Sequence, residues 1–337
     1  MKLSIIASGM VTAIGLNAPA SCAAIRCGIN NFQETRFMDK GGEWIMGSEV
    51  PLEQPWRGRT KLVKLVTPAI RECLDAAGNI KTETIPLLLC VAEKERPGRL
   101  EGLDDQLMQE VQAELGISFH EGSATISNGR VGGVVAMKQA LELINRGNVP
   151  YCIIAGVDSF LIGGTLSAYE ERERVLTSRN SNGFIPGEAG AAVLLGPGRQ
   201  TERAGMSVLG IGFGREEATV ESEKPLRADG LVQAIRESMS SAGVKMVELD
   251  YRITDIGGEQ YYFKETTLAM SRILRDFKED FDFWHPADCI GEVGAAMVPS
   301  ALGIAISAAR KGYALGDKVL CHFANDSGER AAMILTS

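Results

Sequence analysis

Gly183-Phe184-Ile185-Pro186-Gly187-Glu188-Ala189-Gly190-Ala191-Ala192-Val193-Leu194-Leu195 is the stretch whose reading decides the fold. Its second half is a short apolar run of the kind a strand buried on both faces requires. Glycines at 183, 187 and 190 stand in and before that run, where a missing side chain lets another backbone approach. Upstream, Tyr151–Val157 is a second such run. Before it, Val134, Met137, Leu141 and Ile144 form one helical stripe over Val131–Arg146, with Lys138 and Glu142 paired on the opposite side and Gly147 as the stop.

Working outward, the same alternation covers the chain. Further strands are expected at Leu3–Ala7, Pro86–Val91, Ala191–Leu195, Ser207–Phe213, Arg252–Ile256, Lys318–Ala324 and Ala331–Leu335. A helix over Leu231–Ala242 carries the stripe Leu231, Ile235, Met239 and Ala242, and Gly294–Arg310 is apolar nearly all round, as a helix between two layers should be. Strands alternating with helices give βαβ units and a largely parallel sheet. Turn and polar residues around Gly196–Arg203 divide the chain into two halves of similar succession, 1–200 and 201–337. The mixed-sign runs Glu93-Lys94-Glu95-Arg96 and Glu170-Glu171-Arg172-Glu173-Arg174 read as solvated faces.

The totals narrow the function. With 337 residues, 45% of them hydrophobic and 23% charged, the chain is an ordinary globular protein. A net charge of −8 and a pI near 5.2 leave no basic stripe for phosphates, so neither nucleic acid nor an anionic membrane is an expected partner. No apolar run reaches the roughly 18–20 residues of a membrane-spanning helix. The opening Met1-Lys2-Leu3-Ser4-Ile5-Ile6 reads as a strand rather than a signal peptide. Seven scattered cysteines without a CxxC suit reduced thiols in a cytoplasm, and three histidines give little to build a metal site. The expectation is cytoplasmic, with no metal and no cofactor.

Three stretches together resemble the β-ketoacyl synthases of the thiolase superfamily. Gly9-Met10-Val11-Thr12-Ala13-Ile14-Gly15 is similar to their opening "GxVTxxG" turn. Arg146-Gly147 through Ala155-Gly156-Val157-Asp158-Ser159 is similar to the helix-to-strand segment "GDxDxxxAGGxE", and Gly183–Leu195 to the hairpin "GFVxGEGAGxLVL". The resemblance implies an α/β, thiolase-like, five-layered α-β-α-β-α fold from two duplicated halves. It also implies a dimer, here a homodimer through an edge strand at Tyr151–Val157, or pairing with another protein chain.

The resemblance breaks at the positions that carry the family's chemistry. Aligning the glycine at the helix start puts Arg130 where the nucleophilic cysteine stands, and a guanidinium has donors only. The first histidine falls on Ile256, or on Asp255 with a slip of one residue; the second falls on Glu292, and the lysine near Ala287. A carboxylate there opposes the negative charge that the histidines stabilise. The final glycine-rich loop is replaced by Phe323-Ala324-Asn325-Asp326-Ser327-Gly328-Glu329, with Asn325 in the old pocket. No catalytic residue is therefore assigned. Arg130 either locks the core with Glu292, Asp255 or both, or binds an anion such as a carboxylate or phosphopantetheine. Ser127 and Cys289 are the substitute nucleophiles to weigh; His285 reads as a loop residue, His322 as a core one, and Tyr261-Tyr262-Phe263 as packing.

Three functions stay open at this point. The leading one is a non-catalytic, β-ketoacyl synthase-like protein with a structural or adaptor role, resembling chains encoded beside type VI secretion cargo genes. The second is an acyl-binding or chain-length-factor-like subunit. The third is an active 3-oxoacyl carrier-protein synthase or acyltransferase using an unrecognised nucleophile.

Overall fold

A computed structural model describes residues 3–78, 80–147, 149–197 and 205–337. Its strands are β1 (Leu3–Val11), β2 (Gln33–Met38), β3 (Trp44–Gly47), β4 (Leu87–Cys90), β5 (Ala124–Ile126) and β6 (Cys152–Ser159), then β7 (Glu188–Pro197), β8 (Met206–Arg215), β9 (Tyr251–Thr254), β10 (Phe283–Trp284), β11 (Lys318–Ala324) and β12 (Glu329–Thr336). Its helices are α1 (Ala18–Arg26), α2 (Gly58–Ala77), α3 (Leu107–Leu115), α4 (Gly132–Asn145) and α5 (Gly163–Glu171), then α6 (Asp229–Ala242), α7 (Gln260–Ile273), α8 (Ala287–Ile290) and α9 (Met297–Lys311).

Ten strands run in the order β10-β9-β11-β12-β8-β1-β7-β6-β4-β5. The join is narrow: among the described residues β1 meets β8 at Ser4↔Ser207 and Ile5↔Met206. On each side of it the pairing repeats. From β1 to β7 to β6 the pairs are antiparallel, then β6–β4 and β4–β5 are parallel. From β8 to β12 to β11 they are again antiparallel, then β11–β9 and β9–β10 are parallel.

Three apolar cores separate five layers. Leu65, Val66, Ala69 and Ile70 of α2 and Val111 of α3 cover one outer face, against Leu87, Leu89, Ile153 and Leu194. Leu231, Ile235 and Ala269, from α6 and α7, cover the other, against Leu320, Ala332 and Ile334. Between the two sheet halves lie α4 and α9, through Val134, Met137, Ala301 and Leu302. Helix α9 is buried from Met297 to Ile306, which is why its sequence shows no polar stripe. Among the described residues no helix is long and apolar enough to cross a membrane.

Three expectations need correction or reassignment. Among the described residues the ten-stranded sheet is mixed rather than largely parallel, with five of its nine strand pairs antiparallel, because each half closes with hairpin-like neighbours at its centre. Tyr151–Val157 is not an edge strand: β6 pairs with β4 on one side and β7 on the other. All eight residues of β6 are buried, and a continuous apolar run of that kind belongs inside a sheet rather than at its rim. The free edges are β5 and β10. The junction expected at Gly196–Arg203, with the 200/201 boundary, falls largely on 198–204, outside the described residues.

Candidate functional site

In parallel strands the carboxyl ends gather what the loops deliver. Glu93 follows β4, Ser127–Arg130 follow β5, Asp158 stands near the end of β6, Asp255 and Ile256 follow β9, and Asn325 and Asp326 follow β11. The heads of α4 and α9 point into the same region. Each is preceded by a glycine in a left-handed turn, Gly129 at φ 50° and Gly294 at φ 51°. A Cβ would lie 2.1 Å from Glu93 Oε2 at the first and 2.0 Å from Asp158 Oδ2 at the second. Glycine is required at both places.

Arg130, 6% exposed, sits in the turn that opens α4. Its Nη1 donates to Glu292 Oε2 at 3.1 Å, and its Nη2 to Tyr262 Oη at 2.9 Å and to Asp326 Oδ1. Asp326 collects four further bonds. Arg174 donates from Nη1 at 2.7 Å and from Nη2 at 3.1 Å, Tyr169 Oη at 2.9 Å and Tyr262 Oη at 2.6 Å. Arg174 in turn holds Glu259 through two parallel bonds of 2.7 and 2.8 Å, the strong bidentate geometry. Beside this group Arg96 grips Glu93 with two bonds of 2.7 Å and reaches Asp158 at 3.2 Å. Asp158 also accepts from Ala295 N at the head of α9.

The structure therefore brings Arg130 and Glu292 together and leaves Asp255 aside. Asp255 accepts from Ala324 N at 2.8 Å and makes no hydrogen bond to Arg130. Ile256 packs with Tyr262 and Ala324. Asn325 ties the last loop to the head of α4, donating to Asn128 O at 2.8 Å. Ser127 is drawn off to Asp104 and Arg99, outside the cluster. Cys289 is buried, and burial raises its thiol pKa, against thiolate formation. Neither His322 nor His285 serves the site: burial pushes the core residue His322 down to about 3, and the half-buried loop residue His285 lies 2.9 Å from Asp288. A cleft of about 570 Å³ reaches Glu292 past Phe32, Leu176, Ile185 and Cys289.

Sequence reasoning missed most of this cluster. Glu93, Arg96 and Arg174 were expected on solvated faces; all three are buried, while Lys94, Glu95, Arg172 and Glu173 stay exposed. Mixed charge without periodicity says nothing about which member turns inward. The fold decides it: Glu93 and Arg96 lie just past the carboxyl end of β4, and Glu173 adopts φ 54°, a left-handed turn that redirects the chain at Arg174. Tyr262, expected as packing, is a hydrogen-bonding member of the cluster.

Three guanidiniums (Arg96, Arg130, Arg174) here face six carboxyls (Glu93, Asp158, Asp255, Glu259, Glu292, Asp326). Negative charge is in excess, so the carboxyls cannot all ionise easily. Burial would raise Asp326, yet Arg130 and Arg174 hold it well below the usual carboxylate range. Burial raises Asp255, Asp158 and Glu259, and it pushes Glu292 up to about 7 despite Arg130, with Asp255 adding to the rise.

Linkage sets the sign of the pH dependence. A carboxyl whose folded pKa is raised stabilises the fold fully below its ordinary value of 4.5, and that contribution is lost as pH climbs through about 7. For Glu292 the shift corresponds to about 3 kcal/mol. Asp326 acts oppositely, losing its contribution only in strong acid. The melting temperature is expected to fall between about pH 5 and 8, and Glu292→Gln to flatten that fall. Differential scanning fluorimetry across pH checks it; equal slopes in both proteins would refute the assignment.

No family model matches the sequence, and no curated protein matches it. Solved structures do. The ishigamide ketosynthase/chain length factor superimposes with a TM-score of 0.80 at 18% identity, over 100% of this chain and 99% of that one. The ketosynthase ApeO in complex with its chain length factor ApeC from Xenorhabdus doucetiae gives 0.76 at 15% identity, over 99% and 98%. A ketosynthase from module 6 of the bacillaene synthase of Bacillus subtilis gives 0.79 at 12% identity, over 100% of this chain and 72% of that one. The fold is the thiolase-like ketosynthase fold.

Proposed function

We propose that this chain is a non-condensing subunit of ketosynthase fold, of the chain-length-factor kind, that works by pairing with a second protein. One observation carries the reading. The turn that opens α4 presents Arg130, and that guanidinium is already held by Glu292, Asp326 and Tyr262. A permanent cation with donors only cannot attack a thioester, and no thiol or imidazole belongs to the cluster around it. Structural likeness to a ketosynthase solved with its chain length factor supports pairing with a condensing chain over a free-standing enzyme. We place the partner on the β5 edge, where an open ladder adjoins a cleft of about 710 Å³ lined by residues including Glu95, Asp104, Gln139 and Arg215.

The test has two arms. Purified protein incubated with acyl and malonyl thioesters, or with the ketosynthase inhibitor cerulenin, is expected to keep its unmodified mass and to form no condensation product. Affinity capture of the intact chain is expected to bring down a condensing enzyme. Acylation lost on changing Ser127 or Cys289 would restore an active acyltransferase. Capture of a secretion component instead would move the role to an adaptor.

A further inference from the structure

At the β10 edge, outside the ion-pair cluster, a third cleft opens between the last turn of α1, the end of β10 and the residues after α9. It encloses about 330 Å³. Trp284 and Tyr313 form one wall, their rings 6.3 Å apart and inclined at 31°. Tyr251 backs the indole at 4.7 Å, so Trp284 cannot fold away from the opening. Ile25 and Ile304 supply apolar surface, and Arg26, His285 and Asp288 carry the polar groups.

Charge at this cleft is uneven. His285 Nδ1 and the exposed Asp288 Oδ2 lie 2.9 Å apart on one side of the cleft. Arg26 is exposed; its guanidinium lies 4.3 Å over the Tyr313 ring, and it makes no ion pair among the described residues. The carboxyl ends of α1 and α9 each bring about half a negative charge. Arg26, in the last turn of α1, opposes the first of these and lines the cleft itself. Flat aromatic walls select a flat ring, and an unneutralised guanidinium selects an oxyanion.

We infer that this cleft binds a planar aromatic acid, its ring against Trp284 and Tyr313 and its carboxylate on Arg26. The inference is independent of the proposed function, because none of its residues belongs to the ion-pair cluster. Isothermal titration calorimetry of the full chain with 2-naphthoate and with uncharged 2-naphthol tests it. Saturable binding of 2-naphthoate at one site per chain is expected, with a Kd below the order of 1 mM. Arg26→Gln should weaken 2-naphthoate about tenfold and leave 2-naphthol unchanged, as the loss of a charge-assisted contact requires. Tyr313→Leu should weaken both. Absence of saturable binding, or 2-naphthoate affinity unmoved by Arg26→Gln, overturns the site; because Arg26 is exposed, that variant folds and the result stands alone.

Discussion

Asp326→Ala is expected to destabilise the protein by about 3–5 kcal/mol, the usual cost of leaving a buried charge without its partner. Asp326 accepts from two guanidiniums and two phenols, and its loss strips Arg130 and Arg174 of their shared counter-ion at once. Glu259 stays on Arg174 and Glu292 on Arg130, which softens the loss. The Asp326 side chain is 23% exposed, so screening trims the figure toward the lower end. Glu292→Ala should cost clearly less, because Glu292, raised to about 7, is only partly ionised near neutrality. Arg130→Met combined with Glu292→Leu should be close to neutral, since an apolar pair replaces an ionic one and Asp326 keeps Arg174. Urea denaturation of the four proteins gives the ranking. A silent Asp326→Ala would mean that the cluster does not hold the last loop to the head of α4.

What the sequence shows and hides follows from the physics of each signal. Strands β1, β6, β7, β8, β11 and β12 are long enough for an apolar run to stand out, and their assigned bounds extend the expected ones by a few residues at most. β5 and β10 have three and two residues, too few for any period. The hairpin β2–β3 is absent from the expected strands because Gln33, Glu34 and Arg36 turn outward while Thr35 and Ile45 are buried, which leaves no apolar run. At the site, Arg130 and Glu292 were legible because the resemblance to the β-ketoacyl synthases aligns each with a family motif anchored on a glycine. Asp326 lies next to Asn325, and nothing in the loop's composition says which of the two meets the arginines. Glu93, Arg96 and Arg174 were hidden for the opposite reason: buried ion pairs use the residue types of a solvated surface, so only the fold tells them apart.

Gly190→Ala is expected to cost about 3 kcal/mol or more, at the upper end of what overpacking does to a close-packed core. The cost is steric, not conformational: Gly190 is not among the residues with positive φ. A Cβ at 190 would lie 2.2 Å from Leu65 O and 2.4 Å from Leu65 C, both main-chain atoms of α2 that cannot rotate aside. Nor can the strand yield, since Gly190 is paired with Val11 of β1 on one side and Val157 of β6 on the other. Lys61 of α2, one turn before Leu65, bridges to Glu188 at the start of β7 at 2.7 Å and holds the helix against the strand. Gly147→Ala makes the control: at φ 74° with nothing within 4 Å it adds only backbone strain, about 1–2 kcal/mol. Melting curves of the two variants separate the effects. If Gly190→Ala melts with Gly147→Ala or above it, α2 is not seated on β7, and the outer layer that covers Leu194 must lie elsewhere.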